Sequence, residues 1–113
     1  MKQITAIFQP HRLEQVEQAL RALPHLPGFT IHSARGHARG HGPDHRNTSD
    51  EWAPDAHDKL VILMYCAEDH VPAVVAAIRQ AAYTGVPGDG IIAATELADL
   101  VRIRTGERGD AAA

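Results

Sequence analysis

Apolar side chains recur along this chain with two periods, one suited to strands and one to helices. Residues 3–9, QITAIFQ, are rich in β-formers and stop at Pro10, which predicts a strand. In HRLEQVEQALRAL, residues 11–23, Leu13, Val16, Leu20 and Leu23 fall at helical spacing, with Glu14, Glu17, Gln18 and Arg21 on the other face. That helix would run about 20 Å before PHLPG ends it. FTIHSARG, residues 29–36, alternates as a second strand with Phe29, Ile31 and Ser33 on one face. Periodicity then vanishes from Gly36 to about Ala56. A loop that long in a small domain is uncommon and is usually either functional or disordered.

The pattern resumes with KLVILMYCA, residues 59–67, whose unbroken apolar run predicts a central strand covered on both faces. EDHVPAVVAAIRQAAYTG, residues 68–85, predicts a second helix. Glu68 and Asp69 open it, Pro72 sits in its first turn, and Gly85 follows its end. Val71, Val74, Val75 and Ile78 form its buried face. VPGDG is a tight turn, IIAAT (91–95) a strand, and LVRIR (100–104) a short extended segment before a flexible polar tail at 108–113. The order βαββαβ is the α+β ferredoxin-like arrangement, an antiparallel sheet with both helices on one face. An apolar third strand asks for cover on the other face as well, and in a small chain another subunit supplies it.

Composition narrows the function more than the fold. The 113 residues fit one domain, spanning 1–113; they are 44% hydrophobic but only 4% aromatic, which favours burial between subunits. A formal charge of −3 offers no field to attract nucleic acid. No apolar run reaches the roughly 18 residues of a membrane span, so no membrane insertion is expected, and the start does not read as a signal peptide. The single cysteine, Cys66, reads as a buried small hydrophobe and fits a reducing, cytoplasmic setting. His11 and His70 read as surface residues, and Glu14, Glu17 and Gln18 as a solvated helix face. No nucleophile is paired with a base, so no enzymatic activity is expected.

Two short motifs carry candidate chemistry. In TGVPGDG, residues 84–90, Gly85, Gly88 and Gly90 can take positive φ and present N–H groups to an anion, or can simply turn the chain. In RIRTGE, residues 102–107, Arg102 and Arg104 would project from one face of an extended segment. Two adjacent guanidiniums suit a polyphosphate, but could equally pair with Glu107, Asp99 or another subunit's carboxylate.

Taken together and in this element order, the motifs resemble the PII signal-transduction superfamily. The resemblance extends through ITAIFQPHRLEQVEQAL, the strand at Gly28–Ile31, Gly36 and Lys59, and so covers nearly the whole chain. It implies a homotrimer with an adenine nucleotide in each cleft between subunits. It also implies a T-loop, residues 37–57, that touches a transporter or an enzyme. The positions it assigns to nucleotide binding are Thr30, Gly36, Ala38, Arg39, Gly88, Asp89, Gly90, Arg102, Arg104 and Thr105. His37, Gly40, His41, Trp52 and Lys59 fall on the anion- or partner-binding loop and its base.

The departures from the family pattern matter as much. ATP-binding members carry a lysine where this chain has Ile91, so ADP or AMP should be preferred over ATP. A glutamine that helps hold magnesium and 2-oxoglutarate aligns with Gly40, which has no side-chain oxygen. No tyrosine lies between Gly36 and Lys59. The resemblance is therefore to relatives tied to inorganic carbon, transport or metal homeostasis, some of which bind bicarbonate at the loop base.

The loop also raises a metal alternative. His37, His41 and His45 could take Zn²⁺, Ni²⁺ or Cu²⁺, with Asp44, Asp55, His57 or Cys66 completing a site. Gly40, Gly42 and Pro43 oppose a helix that would align them, so the metal itself would have to order the loop. Otherwise the histidines are solvated side chains that titrate near neutrality. Trp52 reads equally as a partner anchor or as a pin holding the loop to its own trimer.

Overall fold

In the computed structural model, residues 1–36 and 58–113 are described. The T-loop expected at 37–57, with its histidines and Trp52, lies outside them. Four strands form one antiparallel sheet: β1 (Lys2–Phe8), β2 (Phe29–Arg35), β3 (Asp58–Cys66) and β4 (Gly90–Glu96), in the order β2-β3-β1-β4. Helices α1 (Leu13–Arg21) and α2 (Val71–Ala82) complete the ferredoxin-like α+β order. No helix among the described residues is long and apolar enough to cross a membrane.

The register explains the packing. Ile4, Ala6 and Phe8 of β1 sit opposite Met64, Ile62 and Leu60 of β3, so their alternation puts one apolar row beneath the helices. That row closes on Val16 and Leu20 of α1 and on Val74, Ile78 and Ala82 of α2. The other face carries Ile7 between Val61 and Ile91, and Thr5 between Leu63 and Ala93. Among the described residues no helix packs on it.

Several boundaries differ from the sequence reading. The first helix is shorter than 11–23, because Pro10–Arg12 form a 3-10 turn ahead of it. The second is shorter than 68–85: Glu68–His70 are likewise a 3-10 turn, and Tyr83 is already extended. The Arg12 Nε donates to the Ala81 carbonyl at 2.9 Å, satisfying one of the acceptors at the end of α2 and tying the helices together.

The larger correction concerns LVRIR. Instead of an extended segment, the chain forms a small hairpin in which Val101 alone bridges Arg108 and residues 103–105 turn. The Arg102 N–H donates to the Glu107 carbonyl at 2.9 Å, and the Gly106 N–H returns to the Arg102 carbonyl at 2.8 Å. Alternation therefore does not place Arg102 and Arg104 on one face, because the residues between and after them bend. Beyond the hairpin, the expected polar tail contains a further 3-10 turn, Gly109–Ala112, with Ala112 buried. Cys66 is buried, and burial pushes its thiol pKa up. His11 is exposed, whereas His70 is half-buried, its ring stacked on that of His25 with centroids 4.6 Å apart.

Candidate functional site

The 84–90 turn is built by its own side chains. The Asp89 carboxylate accepts from the Thr84 hydroxyl, from the Thr84 N–H at 2.8 Å and from the Gly85 N–H at 3.0 Å. These bonds, led by the Thr84 hydroxyl, hold its pKa below the ordinary value. Asp89 thus shapes the turn from within. Gly90, at φ 114°, lies so close to β1 that a Cβ there would meet the Ile7 carbonyl oxygen at 1.7 Å. Only glycine fits.

A second contact joins this turn to the base of the long loop. Lys59, 8% exposed although charged, donates from its ammonium to the Gly88 carbonyl at 3.0 Å. The Gln9 amide donates to the same oxygen at 2.8 Å. A Cβ on Gly36 would come within 3.9 Å of the Lys59 stem, so Gly36, Lys59 and Gly88 gather in one place. Beside them Ser33, Ala34, Arg35, Asp58 and Lys59 line a hollow at the mouth of the loop.

Other expected residues lie elsewhere. Thr30 is exposed on β2 opposite Leu63. The Thr105 hydroxyl is occupied within its own hairpin, donating to the Glu107 carboxylate at 2.9 Å and accepting the Glu107 N–H. Asp99 pairs with Arg108, not with Arg102 or Arg104, and neither of those arginines has an ion pair among the described residues. Ala38, Arg39, Gly40, His37, His41 and His45 fall outside the described residues. Among the described residues there is no group of three or more metal-binding side chains.

The turn and the arginine hairpin stand at opposite ends of β4. Gly90 pairs with Phe8 at one end, and Glu96 pairs with Lys2 at the other. Seven residues of strand separate them by about 20 Å. The Leu97 N–H bonds to the Met1 carbonyl, which keeps the following segment at the far end. Apolar side chains are exposed at both motifs: Val86 at 64% and Ile91 at 65% by the turn, and Ile103 at 101% on the hairpin.

Sequence reasoning missed Gln9. Its only local signal was a glutamine between the last apolar residue of a strand and a proline, which points to no partner.

The fold agrees with what the chain is similar to. The family model for nitrogen regulatory protein P-II matches residues 1–107, and the chain belongs to that family of signalling regulators. It is 38% identical over 109 residues to nitrogen regulatory protein P-II of Rhizobium meliloti (strain 1021), covering 96% of both chains. The match to nitrogen regulatory protein P-II of Azospirillum brasilense has the same identity and coverage. Nitrogen regulatory protein GlnK of Escherichia coli (strain K12) is 36% identical over 112 residues, 99% of both.

Proposed function

We propose that this P-II family regulator binds an adenine nucleotide, ADP or AMP in preference to ATP, in clefts between the subunits of a homotrimer. A small anion such as bicarbonate joins it at the loop base, and residues 37–57 carry the signal to a transporter or enzyme. The observation that carries this reading is the separation of the two motifs along β4. A nucleotide contacting both the 84–90 turn and the arginine hairpin needs the turn of one copy and the hairpin of another. Exposed apolar residues at both motifs, and an apolar sheet face with no helix on it among the described residues, support burial against further copies.

The preference for the shorter nucleotides follows from Ile91. It stands next to Gly90 and is exposed, so it adds no cation where outer phosphates would lie. Bound nucleotide then favours one loop arrangement over others, a population shift that a partner reads. Calorimetry with AMP, ADP and ATP tests the reading: AMP and ADP should bind more tightly than ATP, and Arg102→Ala with Arg104→Ala should abolish binding. No binding of any of the three at millimolar concentration, or full binding by the arginine variant, would overturn it.

A further inference from the structure

The Gly88 carbonyl receives two side-chain donors from distant parts of the chain, and they differ in kind. A carbonyl oxygen has two lone pairs, so Gln9 and Lys59 together can fill it. Gln9 is neutral and follows directly on Phe8, the residue whose backbone is paired with Gly90. Its amide is therefore held beside the turn by the sheet itself. Lys59 is the second residue of β3, next to the loop, and its ammonium sits on a flexible four-carbon stem.

The two donors also face different competition. A buried ammonium needs more than one neutral acceptor to replace lost water. Arg35 and Lys59 both line the hollow, and an anion entering it would compete for the ammonium. The Gln9 amide carries no charge that would draw it there. Gly88 has φ 101° and no side chain to lock its peptide plane, so without a donor its carbonyl would be free to swing.

We propose that Gln9 is a positioning residue for the 84–90 turn: it holds the Gly88 carbonyl when an anion in the hollow draws the Lys59 ammonium off it. The turn thereby keeps its ligand-ready shape through changes at the loop. The ligand named for that turn rests on the nucleotide reading above, whereas the Gln9 contact does not.

A double-mutant cycle tests the proposal with Gln9→Ala, Lys59→Met and the two combined, measured in two ways. Amide NMR of the unliganded proteins follows Gly88, Asp89 and Gly90. Each single variant should keep one sharp set of signals, and the double variant should broaden or split them while denaturation midpoints follow the sum of the singles. Calorimetry with ADP should show each single change weakening binding by about fivefold, the worth of one hydrogen bond. The combined loss should clearly exceed the product of the two. Strictly multiplicative ADP affinities together with undisturbed turn amides in the double variant would overturn the role of Gln9. Should unaltered protein fail to bind ADP, the nucleotide reading falls, and the amide signals alone decide for or against Gln9.

Discussion

Gly90 concentrates the steric demands of the site into one atom. A methyl group there meets the Ile7 carbonyl oxygen at 1.7 Å, and φ 114° disfavours any side chain regardless of space. Gly106 is the contrast: its φ is 74°, but nothing lies within 4 Å of an added Cβ. Gly106→Ala should cost about 1 kcal/mol from backbone strain alone. Gly90→Ala should cost about 3 kcal/mol or more, because β1 or the turn must also move. Chemical denaturation of the two variants gives this ordering, and equal losses would contradict it. That Gly90 is needed was partly legible, since TGVPGDG announces a turn. The reason is a contact with Ile7, 83 positions away in the numbering, and no local pattern records it. The same distance hid the Gln9 contact, which spans 79 residues.

As an element, the turn is held by a carboxylate in its charged form, which makes it sensitive to acid. Asp89 has its pKa lowered in the folded chain, chiefly by the Thr84 hydroxyl, so unfolding raises its affinity for protons. Its stabilising effect is complete above the ordinary carboxyl value of 3.8 and disappears as pH falls through the lowered folded value. Asp89→Asn should therefore be less stable than the parent at neutral pH, with the gap closing on acidification below 3.8. Thermal melts across that range would read it, and a gap that stays constant would assign the stabilisation to something other than charge.

The other elements were legible to different degrees. Strand and helix periods identified both helices and all four strands: β1, β3 and the helices carry the buried apolar rows, and Phe29 and Ile31 of β2 and Ile92 of β4 pack against them. Helix starts were placed too early, since a 3-10 turn has nearly the same residue preferences as a first α-turn. The arginine segment misled because alternating charge imitates a strand. Its hairpin is set by backbone bonds between Arg102 and Glu107 and by positive φ at Gly106 and Gly109.

For the whole molecule, the proposed cleft has a consequence that single-chain variants cannot imitate. Mixed assemblies made from one chain with a defective turn (Gly90→Ala) and another with both arginines replaced should regain binding that neither homotrimer has. With random mixing in equal amounts, about a quarter of the clefts would join an intact turn to an intact hairpin. Co-refolding the two chains and titrating ADP measures that fraction. No recovery, in assemblies shown to be mixed, would mean that both motifs act within one subunit.

The placing of the two motifs at opposite ends of β4 also bears on inheritance. If each chain serves the clefts on both its flanks, a copy that is sound at one end of the strand and broken at the other spoils one neighbour's cleft and spares the other. A copy broken at both ends silences both clefts it borders. Lesions in this protein should then differ in dominance according to whether they strike one end of a single strand or both.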